Sequence, residues 1–258
     1  MANKETTSKT IIVALVLCIV CSLVVSSAAV LLKDQQDANK KLDRYSNILA
    51  AAGLLNSAEN IEEQYKNLIT AKVVDLDTGR YTDAIDAATF DQRRAAKDTS
   101  LSEALSTEDD LAKISRRENY SMVYLVVTNG EIEKIILPVR GYGLWSTMRG
   151  FLALESDGNT IAGLGFSEHG ETPGLGGEID NPKWKALWPG KKVYQNGAVE
   201  IGLIKGSVTP GSANADYEVD GLAGATLTSR GVTNLVHFWL GEQGFQKFLS
   251  NLRSGEAG

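Results

Sequence analysis

Residues 11–32, IIVALVLCIVCSLVVSSAAVLL, contain no charged side chain. Wound as a helix at ~1.5 Å per residue, the run spans roughly 33 Å, enough to cross the hydrocarbon core of a bilayer. It divides the chain into a short N-terminus (1–10), a transmembrane helix (11–32) and a remainder that folds on one side of the membrane. Lys4 and Lys9 precede the run, and the stretch after it mixes both signs, so charge alone orients the helix weakly. The competing reading is a cleaved signal peptide, with an apolar region at 11–25 and Ser26-Ser27-Ala28 as the cleavage site. Hydrophobicity that continues through Val30-Leu31-Leu32 favours a retained anchor. Both readings engage the export machinery and place residues beyond about 33 outside the cytoplasm.

A net charge of −6 argues against nucleic acid as a partner, since phosphate backbones need a basic face. The two cysteines, Cys18 and Cys21, both lie in the apolar run. The rest of the chain therefore offers no disulfide, thiolate nucleophile or cysteine-ligated cluster. Cys18-Ile-Val-Cys21 has the spacing of a dithiol ligand pair, but cysteine also packs well as a small apolar residue. His169 and His237 are the only histidines, which leaves too few ligands to expect a transition-metal site. No serine–histidine–acid or paired-carboxylate arrangement stands out, so no residue is assigned a catalytic role. Redox chemistry in the soluble part would have to come from a bound organic cofactor.

Residues 33–119 read as a helical stalk followed by an insertion. Leu42, Tyr45, Ile48 and Leu49, then Ile61, Tyr65 and Leu68, recur at helical spacing across 33–70. Residues 79–119 are polar and weakly periodic. From Tyr120 the texture changes to β-patterned runs with turn signals between them. Asn129-Gly130 joins 122–128 to 131–139, Ser-Asp-Gly-Asn joins 151–155 to 160–166, and Asn196-Gly197 joins 193–195 to 198–205. Val232, Leu235, Val236, Trp239 and Leu240 form one helical stripe, and Phe245, Phe248, Leu249 and Leu252 form a second. The expectation is an α+β chain: an antiparallel sheet flanked by helices, in a domain covering 120–258, behind one N-terminal transmembrane helix.

Three segments have the composition of a ligand site. In Asp220-Gly-Leu-Ala-Gly-Ala-Thr-Leu-Thr228 small residues let backbone come close to a ligand, and N–H groups at a following helix start suit a phosphate. The same pattern is equally a plain helix start capped by Thr228 or Ser229. His169-Gly-Glu-Thr-Pro-Gly-Leu-Gly-Gly177 is a tight, irregular loop that is either a turn or a binding platform. It is no dinucleotide fingerprint, because GxGxxG and a surrounding βαβ unit are absent. Gly141-Tyr-Gly-Leu-Trp145 either presents Trp145 to a planar group or buries it as core. Lys205, at the end of a predicted strand, is either solvated or turned toward a phosphate. Trp184 and Trp188, after an Asn181-Pro182 helix start, read as core aromatics.

Ala223-Gly-Ala-Thr226, with Asp220 before it and Leu227-Thr228-Ser229 after it, resembles the flavinylation motif of the FMN-binding subunits of bacterial membrane redox complexes. The family's usual form has serine or threonine where this chain has Ala223. The resemblance extends over the membrane helix and residues 120–250, where the chain is similar to the C subunit of Na+-translocating NADH:quinone oxidoreductases. The G subunit of Rnf-type ferredoxin:NAD oxidoreductases is the related alternative, and a non-redox membrane-anchored assembly module is the rival from another class. The resemblance implies FMN held covalently by a phosphoester on Thr226, with Gly224, Ala225, Leu227 and Thr228 around the phosphate. It places Leu175 against the isoalloxazine face, Gly174 and Gly176 in the platform, Glu171 and Thr172 at the ring edge, and Trp145 and Lys205 nearby. It further implies a single-pass protein of the bacterial inner membrane, with the flavin domain in the periplasm. Its partners would be the other subunits of the complex and a flavin transferase that uses FAD. Electrons would pass from NADH through FAD and iron–sulfur centres to this FMN, then onward to quinone, coupled to sodium translocation by polytopic partners.

Overall fold

The computed structural model describes residues 6–258, so residues 1–5, Lys4 and half of the expected 1–10 segment among them, lie outside the described residues. The apolar run forms α1 (Thr7–Leu31), a helix long and apolar enough to cross a membrane, with no residue of it buried. The chain divides into two compact units, Met1–Asp43 and Arg44–Gly258, and α2 (Lys33–Ala51) runs across the division.

The helix expected across 33–70 breaks at Gly53. There φ is +69°, a conformation glycine adopts without a Cβ penalty. Gly53 N–H donates to the Ala50 carbonyl and Leu54 N–H to that of Leu49, the paired bonds of a Schellman cap. A second helix, α3 (Ile61–Leu68), starts on an Asn60 cap that accepts from the Glu62 and Glu63 amides. It passes directly into β1 (Ile69–Asp75).

That strand corrects the expected domain boundary at 120. β1 pairs antiparallel with β5 (Tyr120–Thr128) along its whole length, from Ile69 opposite Val126 to Asp75 opposite Tyr120. Between them lie β2 (Arg80–Tyr81), α4 (Gln92–Ala95) and the antiparallel pair β3 (Ser102–Ala104) and β4 (Arg116–Glu118). With β6 (Glu131–Tyr142), β7 (Thr147–Glu155) and β8 (Ile161–Glu168), β1, β2 and β5 make a six-stranded antiparallel sheet ordered β2-β1-β5-β6-β7-β8. The β5–β6 turn has φ of 55° at Asn129 and 86° at Gly130, the type I′ geometry that matches strand twist.

The third hairpin is shorter than its sequence suggests. β9 (Tyr194–Gln195) and β10 (Ala198–Val199) pair across Asn196-Gly197. The chain then turns away, and β11 (Gly202–Ile204) pairs parallel with β12 (Glu218–Asp220). The short α5 (Pro182–Lys185) precedes this part, and α6 (Thr226–Leu240) and α7 (Gln246–Ser254) end the chain.

Both faces of the sheet are buried. Val123, Leu125, Ile135, Leu137 and Leu152 pack with Val232, Leu235, Val236 and Trp239 of α6 and with Phe245, Phe248 and Leu249. Met122, Tyr124, Ile136 and Phe151 meet Ile48, Leu49 and Ala52 at the end of α2, where Tyr45 and Tyr65 stack with ring centroids 3.7 Å apart. The end of α2 is therefore a layer of the domain, not a stalk. Leu49, fully buried, should cost about 2–5 kcal/mol when replaced by alanine. Urea unfolding of the detergent-solubilised chain checks this; a midpoint equal to wild type would return residues 44–52 to a stalk.

Candidate cofactor site around Glu171

Asp220, the last residue of β12, is fixed on both ends. Its carboxylate accepts from the Val208 amide at 2.8 Å, and its carbonyl accepts from Trp184 Nε1 at 2.9 Å. Trp184 and Trp188 are core residues, as their pattern suggests, and Asn181 caps α5 through the Lys183 amide. The chain next passes so close to β11 that a Cβ on Gly221 would lie 2.2 Å from the Ile204 carbonyl oxygen and 3.8 Å from Lys205 Cα. Lys205, exposed, thus stands beside the entry to the motif. Gly224 then turns with φ of +72°, and Ala225 occupies the cap position of α6.

Alanine has no side-chain oxygen to offer there, and α6 starts with no side-chain cap. Thr228 and Ser229, the candidate caps, are engaged elsewhere. The Thr228 hydroxyl donates to Glu171 Oε2 at 2.5 Å. Ser229 Oγ accepts from the Leu222 amide at 3.0 Å and donates to the Ala225 carbonyl at 3.1 Å. The first-turn amides and the positive end of the helix dipole are left for another group, and Thr226 at the first helical position is exposed.

The glycine loop folds as a turn in which Leu175 N–H donates to the Thr172 carbonyl at 3.1 Å. Pro173 and Gly174 (φ +76°) take the central positions, as a type II turn requires. Gly177 N–H donates to the same carbonyl at 2.9 Å. Thr172 and Leu175 are exposed, while Gly176 is buried. The site of a Cβ on Gly224 lies 3.1 Å from Leu175 Cδ2, which puts Leu175 over the α6 start.

Glu171 gathers the three segments. It is only 5% exposed. Its Oε1 accepts from the Leu144 and Trp145 amides, each at 3.0 Å, while its Oε2 takes the Thr228 hydroxyl. Burial alone pushes its pKa up; the Thr228 hydroxyl and the Trp145 and Leu144 amides together hold it below the ordinary glutamate value. Behind it, Glu171 N–H donates to His169 Nδ1 at 3.2 Å, which leaves His169 Nε2 to donate to Asp180 at 2.7 Å.

Trp145 is 64% exposed, Leu227 53% and Leu175 45%. None of them is core, and each belongs to one of the three gathered segments. The sequence did not single out Gly231, whose Cβ would lie 2.6 Å from the Tyr142 carbonyl oxygen. It lets α6 press against the β6–β7 turn. A glycine inside a helical stripe, costly by ~1 kcal/mol relative to alanine, was the available signal. His237 lies apart from His169 and bonds the Ile201 carbonyl. Among the described residues no group of histidine, cysteine, aspartate and glutamate is placed to hold a metal ion.

The arrangement suits a phosphorylated planar molecule. An exposed threonine hydroxyl sits at an uncapped helix start, small residues precede it, and large apolar side chains are exposed on the adjoining loops.

Residues 143–241 match the FMN-binding domain family, a span that contains all three segments from Gly143 onward. The chain is 58% identical over 261 residues to the C subunit of the Na(+)-translocating NADH-quinone reductase of Pseudomonas aeruginosa, with all of both chains covered. It is 48% identical to the protein of that name in Vibrio vulnificus, covering 99% of each chain. Among solved structures, NqrC of Shewanella oneidensis superposes with a TM-score of 0.76 at 35% identity, covering 84% of this chain and 99% of that one. The corresponding C subunit from Parabacteroides distasonis gives 0.65 at 32% identity, covering 85% and 97%.

Proposed function

Because the chain belongs to the C-subunit family of Na(+)-translocating NADH-quinone reductases, we propose that Thr226 carries FMN as a covalent phosphoester and that the domain relays electrons from NADH toward quinone. The observation that carries this reading is the start of α6. Thr228 and Ser229 commit their hydroxyls inside the protein, and Thr226 presents its own at an uncapped helix end. The departure at Ala223 leaves this intact, since that residue is exposed and lies before the helix.

Attachment is redox-neutral. The Thr226 hydroxyl oxygen attacks the FMN-side phosphorus of FAD on a flavin transferase. A threonine O–P bond forms, the pyrophosphate P–O bond breaks, AMP leaves and the hydroxyl proton passes to solvent. The first-turn amides of α6 would hold the phosphate, with Lys205 as a nearby cation. Leu175 and Trp145 would wall the ring, and the Gly174–Gly176 backbone would let it lie close. Bound FMN supplies one- and two-electron chemistry, and the protein supplies position and electrostatics. The membrane helix anchors the chain to its partners in the bacterial inner membrane, with the flavin domain in the periplasm. There a covalent bond keeps a cofactor that could not be readily replaced.

Ultraviolet-excited fluorescence of the full-length chain on a denaturing gel tests the proposal. Chain made beside the flavin transferase gives a yellow-green band, and chain made without it is dark. A dark band from the transferase-containing host contradicts covalent attachment.

A further inference from the structure

We infer that Glu171 is a positioning residue, which sets the rotation of α6 and the placement of the Trp145 turn from a single buried carboxylate. The inference rests on the reading that Thr226 is the attachment point, and it replaces a ring-edge contact with a different role for Glu171. Both carboxylate oxygens already face protein donors, two backbone amides on one and a hydroxyl on the other. With the side chain almost wholly buried, little of it is left to meet a ring.

The geometry shows what the carboxylate controls. Residues two apart on a helix do not share a face. Holding the Thr228 hydroxyl inward therefore turns Thr226 outward, where its exposure places it. The other oxygen fixes consecutive amides at Leu144 and Trp145, so the backbone beneath the exposed indole cannot drift from α6. Hydrogen bonds to an ionised acceptor are roughly twice as strong as neutral ones, and a buried carboxylate stripped of donors would be costly.

Glycines seal the arrangement. A Cβ on Gly143 would lie 2.4 Å from Glu171 Oε1, and one on Gly176 would lie 2.5 Å from Thr228 Oγ1 and 2.7 Å from Glu171 Oε2. The carboxylate has room for one pose. Attachment requires the threonine oxygen in line with phosphorus, and a displacement of ~1 Å can cost on the order of 100-fold in rate.

The test uses full-length apo chain, purified in detergent from a host without the transferase, then incubated with transferase and FAD. Glu171→Ala and Thr228→Val are expected to acquire flavin ~10- to 100-fold more slowly than wild type. Glu171→Gln, whose amide oxygen still accepts from Leu144 and Trp145, should fall between. A second readout separates positioning from general destabilisation. In chains that do become loaded, the ratio of native to denatured flavin fluorescence reports contact with the quenching indole. That ratio should rise in Glu171→Ala and stay close to wild type in Thr228→Val, measured well below the melting temperature. Wild-type rates of flavin acquisition in Glu171→Gln and Thr228→Val would overturn the positioning role, even if Glu171→Ala fails to fold. Thr226→Ala is the control: covalent flavin persisting there overturns the attachment reading instead, whatever the Glu171 variants do.

Discussion

Replacing Thr226 by alanine is expected to leave a folded chain that carries no covalent flavin at all. The side chain is exposed at the first position of α6, so its methyl and hydroxyl contribute little to packing. Alanine is also the better helix former by a few tenths of a kcal/mol. The change in stability should stay within about 0.5 kcal/mol, while covalent flavin falls below detection because the attacking oxygen is gone. Thr226→Ser restores that oxygen and should restore the flavin. Thr228→Val is the instructive contrast. The Thr228 hydroxyl is buried against an ionised acceptor, and losing such a bond costs about 1.5–3 kcal/mol. The flavin bond itself would remain possible there. Gel fluorescence beside urea unfolding of the same preparations separates the two threonines.

The largest effect on stability is expected at Glu118. This residue has no exposed surface. It accepts from Arg140 Nη2 and from Gln92 Nε2, the latter at 2.6 Å. The Arg140 side chain is itself 11% exposed, and the Arg140 carbonyl accepts from Trp239 Nε1 at 2.7 Å, beneath α6. Glu118→Ala leaves the guanidinium buried with a single carbonyl partner, that of Arg116. Breaking a buried pair from one side costs about 3–5 kcal/mol, because the remaining charge is uncompensated. Glu168 is a control of the same chemistry at the surface. It pairs with Arg93 at 2.6 Å, but both side chains are more than half exposed. Glu168→Ala should cost no more than ~1 kcal/mol. Equal shifts in the urea midpoints of these two variants would contradict the burial argument.

The parts of the fold legible in the sequence are those written by local rules. Asn-Gly pairs with positive φ at both residues mark two hairpins, and the apolar stripe of α6 is a property of one helix. The strand β1 is different. Its residues follow a helical run with no turn signal between them, and its place in the sheet comes from pairing with β5, some fifty residues on. A helical period carried too far hid it. The parallel β11–β12 pair was hidden for the same reason, since hairpin chemistry at Asn196-Gly197 speaks only for its immediate neighbours.

The site divides along the same line. Small residues before a helix told of an anion site or a cap, and could not choose between them. The choice turns on where the hydroxyls of Thr228 and Ser229 point, which depends on a carboxylate 57 residues away in sequence from Thr228 and on the Leu222 backbone. Glu171 within a glycine loop gave no hint of its partners at Leu144 and Trp145. Trp145, an aromatic at a strand end, read by itself more readily as core, and the β6–β7 turn places it outside.

The most direct measurement is the fragmentation mass spectrum of the tryptic peptide 206–230, from chain matured beside the flavin transferase. That peptide contains Thr209, Thr226 and Thr228 together with several serines, so it lets competing hydroxyls be compared within one molecule. A single FMN phosphoryl group located on Thr226 is the expected result. A fully unmodified peptide, or the group on Thr228 or any other hydroxyl, would contradict it.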